Sequence, residues 1–119
     1  MELTLGGARY VLSAEGAGGQ FTAIARKAET GERFGIECTG ESEADALDRL
    51  SRWLAWQYEH ASALESLQRA EQAYHRTLAG SAFASAVEGP SAVELQKESL
   101  EQVEAARVRL DEIRARRPN

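Results

Sequence analysis

The feature that most constrains this chain is one helical segment, residues 42 to about 79, that follows four short strand-like runs. At 1.5 Å per residue, roughly 38 residues of helix would span roughly 57 Å. A compact globule of this chain length is only about 35 Å across. The chain cannot wrap such a helix alone. The helix must project, pair with a second helix, or pair with another copy of itself.

Projection at 100° per residue separates two apolar faces. Leu47, Leu50, Leu54, Tyr58 and Ala61 form one, confined to the first half. Trp53, His60, Leu67 and Tyr74 recur every seven residues on the other, flanked by Trp56, Ala63, Leu64, Ala70 and Leu78. One face suits a sheet and the other a helix–helix seam. The start is marked by Ser42-Glu43-Ala44-Asp45, where Ser42 accepts from the Asp45 amide and acidic residues meet the positive helix end.

Before that switch, residues 2 to 39 alternate with period two and are punctuated by glycine. Leu3 and Leu5, then Tyr10, Leu12 and Ala14, then Phe21, Ala23 and Ala25, then Phe34, Ile36 and Cys38 form the inward sets. Gly6-Gly7 is a two-residue hairpin signal, since both positions tolerate positive φ. Gly16-Ala17-Gly18-Gly19 ends the second strand as a mobile connection, and Glu29-Thr30-Gly31 turns into the fourth. The short connections imply an antiparallel meander with one packed and one wet face.

After the long helix, residues 79–90 are small and weakly patterned, with Gly80 and Pro90 arguing for a turn, although helix could persist to Val87. A capping signal at Ser91 opens a second helix ending near Arg116, striped by Val93, Leu100, Val103, Ala106, Leu110 and Ile113. Folded back, this helix covers the distal seam at Leu64, Leu67, Tyr74 and Leu78. The expected fold is therefore α+β: an antiparallel β-meander of three to four strands, then a helical hairpin or coiled coil. Residues 1–61 hold the sheet and the first half of the long helix, and 62–119 the hairpin extension.

Chemistry is sparse. With 119 residues, 43% hydrophobic and 28% charged, the chain suits one soluble domain with an appendage. Its formal charge of −5 argues against general nucleic-acid binding. Neither a secretory signal nor a membrane-length apolar run is present, so a cytoplasmic location without membrane contact is expected. Cys38 is the only cysteine and reads as a buried, unreactive thiol with no nearby base or cation. The glycines at 16–19 lack the lysine, hydroxyl and following helix of a phosphate loop. His60 and His75 differ by about 60° in direction and stand roughly 22 Å apart along the helix, so they cannot share a metal. His60 reads as a satisfied seam residue, one that would make association pH-sensitive if two copies crossed there. Glu71 and His75 form only an i, i+4 pair. No catalytic pair, metal set or cofactor site is expected. Arg107, Arg109, Arg114, Arg116 and Arg117 complement the last helix's negative end, with contact to an acidic partner or nucleic acid as the alternative.

RYVLSAEG, FTAIA, RFGIECTG and the helix start SEADAL, within residues 9–58, resemble the small strand-rich module of HicB-like antitoxins. The resemblance implies a reduced nuclease-like fold without catalytic residues that binds a partner protein and self-associates. This chain departs from the pattern in its extra leading strand and in a long helical hairpin where a DNA-binding segment usually follows.

The functional expectation is a non-enzymatic, self-associating interaction module. Most of it rests on a homodimer seam of Trp53, Trp56, His60, Leu64, Leu67 and Tyr74, since tryptophan is enriched where proteins bury area against each other. Contact with another protein is kept open. The rival is an antitoxin-like regulatory nucleic-acid binder using the arginine-rich end.

Overall fold

A computed structural model describes residues 1–83 and 92–118. Four strands precede two helices: β1 (Glu2–Leu5), β2 (Ala8–Ala17), β3 (Gln20–Lys27), β4 (Arg33–Gly40), α1 (Glu43–Phe83) and α2 (Ala92–Ala115). The fold is α+β, a four-stranded antiparallel meander in the order β1-β2-β3-β4 followed by a helical hairpin. The chain divides into two units. One is Met1–Tyr58 with the chain end from Arg117, and the other is Glu59–Arg116.

In the first unit, glycines set the turns. Gly6 and Gly7 both take positive φ (58° and 85°), closing β1 onto β2 in two residues. Gly18 and Gly19 do the same between β2 and β3, so β2 runs on to Ala17 and the expected four-residue connection is a tight turn. The core is Leu12, Ala23 and Ala25 from the sheet against Ala46, Leu50 and Leu54 from α1. Leu3, Leu5, Tyr10, Ala14, Phe21, Phe34, Cys38 and Leu47 surround it, so one sheet face and one helix face seal each other. The Asp45 amide donates to Ser42 Oγ at 3.0 Å, as the capping pattern predicts. Asp45 Oδ2 in turn accepts from the Glu41 amide at 3.0 Å.

Two sequence expectations change here. Ile36 is not inward: it is 45% exposed. Ala25 pairs with Phe34 and Ala23 with Cys38, so the residues between Phe34 and Cys38 form a bulge opposite Ile24 alone. Gly35 makes the bulge with a φ of 74°, and a Cβ there would lie 2.8 Å from a Leu54 methyl. The bulge restores the inward direction at Cys38 while turning Ile36 outward. Tyr58, expected on the sheet-covering face, is largely exposed, its ring against Gly6 of the β1–β2 turn.

In the second unit, residues 59–83 of α1 pair antiparallel with α2. Thr77 Oγ1 and Ser99 Oγ stand 3.2 Å apart, while at the other end Arg114 Nε donates to His60 Nε2 at 3.2 Å. Arg116 reaches Glu59 at 3.8 Å. Ala63, Leu67, Val103, Leu110 and Ile113 are buried. Helix continues through 79–83, where a turn was one expectation. Residues 84–91, which include the expected cap at Ser91 and the rest of that turn, lie outside the described residues. The α2 stripe is displaced from the expected one. Val93 and Leu100 are 71% and 41% exposed, while Gln96 and Ser99 are half-buried. The inward set 96, 99, 103, 106, 110, 113 alternates steps of three and four, the heptad rhythm of a helix pair, and Leu100 falls to one side of it. Ala61, expected beside the sheet, is exposed in this unit.

Candidate functional site

A trough opens in the first unit beside β4, one of the two edge strands of the sheet. Its lining is Ile36, Cys38 and Thr39 of β4, Arg49 and Trp53 of α1, and Arg117 and Pro118 of the chain end, around about 320 Å³. A second depression of about 360 Å³ shares Thr39 and Arg49 and continues past Gly40 and Glu41 to Gly19 and Gln20. The bulge at Gly35 puts Ile36 here, and the α1 helical turn carries Arg49 and Trp53 to the same side.

The polar groups facing the trough are mostly donors. Arg49 is loosely held, its Nε 3.5 Å from Asp45 Oδ1 and its Nη1 3.5 Å from the Thr39 carbonyl. The Arg117 guanidinium lies over the Trp53 ring at 5.0 Å and the Trp56 ring at 5.9 Å. The two indoles stack at 5.2 Å. Arg117 makes no ion pair among the described residues. Trp53 Nε1 is the buried side-chain nitrogen left without a hydrogen-bond acceptor among the described residues. An unpaired buried donor of this kind costs about 1–3 kcal/mol.

Cys38 corrects two expectations. It is half-buried rather than buried, and a cation is nearby. Burial pushes its thiol above the ordinary value, and Arg49 pulls it partly back. The reading of an unactivated thiol survives because burial outweighs the charge.

The residues expected to form a dimer seam are distributed differently from the sequence picture. Trp53 and Trp56 belong to the first unit, half-buried under Arg117. His60 accepts from Arg114 in the second unit, Leu67 is buried there, and Leu64 and Tyr74 are half-buried. Ala63 and Leu67 are buried in the hairpin, Leu67 being among the seam residues that the folded-back helix was expected to cover. Of the five arginines, Arg114, Arg116 and Arg117 are engaged within the chain, and Arg107 and Arg109 are exposed. Sequence reasoning missed Arg49 altogether. Its signal was position: it stands four residues before Trp53, one helical turn away.

Among the described residues, no group of three or more His, Cys, Asp or Glu side chains is gathered to hold a metal ion. No helix is long and apolar enough to cross a membrane among those residues. Comparison with known proteins finds no matching family model, no matching curated protein and no matching solved structure.

Proposed function

We propose that this chain is a non-enzymatic protein-interaction module that associates with a second copy of itself through its helical hairpin. The observation that supports this is an apolar flank on the second unit. Leu78 and Leu100 each follow one member of the facing pair Thr77 and Ser99, and in antiparallel helices such residues share a flank. Leu64 lies two heptads before Leu78, and Val93 one heptad before Leu100. Leu78 is 39% exposed, and with Val93 and Leu100 it leaves apolar surface in water that a two-helix layer cannot cover. Two hairpins packed flank to flank make a four-helix bundle, the ordinary way to bury such a surface.

This reading keeps Leu64 and Tyr74 near the contact and moves it away from the tryptophans. The rival, a nucleic-acid binder, draws less support because three of its five arginines already have partners within the chain. Light scattering at micromolar concentration tests the proposal, with Val93→Glu and Leu100→Glu combined as the variant. A dimer mass that falls to monomer in the variant, at unchanged helicity, is the expected result. A monomer mass for the wild type at about 100 μM overturns it, since that places any Kd above the range of a functional homodimer.

A further inference from the structure

The trough beside β4 has no role in hairpin association, and its chemistry is one-sided. Arg49, Arg117 and the Thr39 hydroxyl are all able to donate. Acceptor groups are few. Asp45 is at 3.5 Å from Arg49 and, with Asp48 (paired to Arg52), lines an adjoining depression that shares Arg49 and Pro118, while Glu41 lines the continuation of the trough. Such a site is complementary to an anion that accepts several hydrogen bonds, and a planar carboxylate matches a guanidinium fork.

Shape narrows the ligand further. The two depressions share Thr39 and Arg49 and follow β4 from Ile36 to Glu41, a length that one carboxylate does not fill. Their floor is an edge strand, the kind of element that pairs with an extended segment, although the Thr39 carbonyl already accepts from Arg49. Ile36, turned out by the bulge, adds an apolar contact at one end.

We propose that this trough binds an extended peptide segment of a partner protein, with one carboxylate of that segment held between Arg49 and Arg117. Glu41 and Asp45 oppose a second negative charge next to it, so the preferred segment has one acidic residue among neutral, β-favouring neighbours. The carboxylate displaces Arg49 from its loose contact with Asp45 and leaves Arg117 stacked on the indoles.

The chain holds two tryptophans, 53 and 56, both beneath Arg117, so intrinsic fluorescence reports the site directly. The probes are end-blocked hexapeptides of Thr and Val carrying one central Glu, or Gln in its place. A third peptide carries Gln and a free C-terminal carboxylate. Sodium acetate serves as the small-anion arm. The Glu peptide should shift the fluorescence saturably, with the Gln peptide at least tenfold weaker, a difference of about 1.4 kcal/mol. If the free-terminus peptide wins instead, the carboxylate is a chain end and the proposal stands in that form. Calorimetry on Arg117→Met should show a tenfold loss that Arg117→Lys partly restores. No saturation below about 1 mM, equal binding of Glu and Gln peptides, or acetate binding as tightly as either carboxylate peptide overturns the proposal. The Glu-against-Gln comparison uses wild-type protein, so misfolding of a variant does not affect it. Repeating it on the Val93→Glu, Leu100→Glu protein separates this site from self-association, because one is read by fluorescence and the other by mass.

Discussion

Leu50 and Leu110 are both sealed from solvent, yet they sit in different kinds of interior. Leu50 lies in a two-layer core, sheet against helix, ringed by partly buried leucines and aromatics. Leu110 belongs to a seam between two helices, and that seam becomes polar toward its far end, where Thr77, Gln96 and Ser99 replace apolar residues. Apolar burial scales with the number of surfaces that close on a site. The first unit closes its core from both sides, whereas a helix pair closes only a strip. The contrast separates an interior sealed between two layers from one sealed along a single strip.

The largest expected effect is therefore at Leu50. Leu50→Ala should cost about 3–4 kcal/mol, the middle of the range for sealed core leucines, and Leu110→Ala about 2 kcal/mol, its lower end. Native-state hydrogen exchange reads the two separately, because local openings carry their own free energies. Equal losses at both sites, spread over all amides alike, would break the comparison. A sharper form uses concentration. If the hairpin is stabilised by a second copy, protection of α2 should rise between about 5 and 100 μM while β2 and β3 stay constant.

Next in size is Gly35→Ala. Its positive φ costs a non-glycine residue about 1–2 kcal/mol. The added methyl also meets Leu54, at 2.8 Å before any adjustment. The loss should appear in the sheet and not in α2. A neutral substitution would mean that the bulge can relax into regular pairing, which returns Ile36 to the inward face.

Much of this architecture was legible because each local signal had a single physical reading. Gly6-Gly7 allows little besides a tight turn, and Ser42 to Asp45 has few uses besides a cap. Alternation fixed the faces of β1, β2 and β3. It failed in β4, because Phe34, Ile36 and Cys38 keep perfect period two in sequence while a bulge breaks it in space. The only hint was Gly35, and a lone glycine inside a strand pattern is ambiguous. In α2 the error was one of hydrophobicity over rhythm. Val93 and Leu100 look like core residues, yet the seam follows Gln96 and Ser99, because the register is set by the apolar residues at 103, 110 and 113. The trough was illegible for a different reason. Residues 36–39, 49–53 and 117–118 meet only after folding, and no spacing along the chain announces that.

A smaller effect is expected at the polar end of the seam. Thr77 also donates to the Ala73 carbonyl at 2.9 Å, so its hydroxyl is satisfied within its own helix. Thr77→Val combined with Ser99→Ala should stay within about 1 kcal/mol of wild type, since removing both partners of a hydrogen bond leaves nothing unpaired between them. Exchange at α2 amides near Ser99 is the measurement. A loss above about 2 kcal/mol would show that the polar end anchors the hairpin, and the contrast with the closed core would weaken.

The smallest effect concerns Cys38, at the margin of the first unit's core. Burial holds the proton on its thiol, so its folded pKa lies above the unfolded one. Stability from this source is present below the ordinary thiol range and is lost as pH rises through the folded value. The reactive species is the thiolate, so a thiol reagent near pH 8 should label the folded protein more slowly than the urea-unfolded chain. Arg49 acts in the opposite direction, pulling the pKa down. Arg49→Met should therefore slow labelling further and move its pH midpoint upward, although the substitution opens space beside the sulfur. That opposition makes the measurement decisive. If labelling accelerates in Arg49→Met with an unmoved midpoint, Arg49 was a lid and not a charge. The margin of the closed core would then be guarded by packing alone.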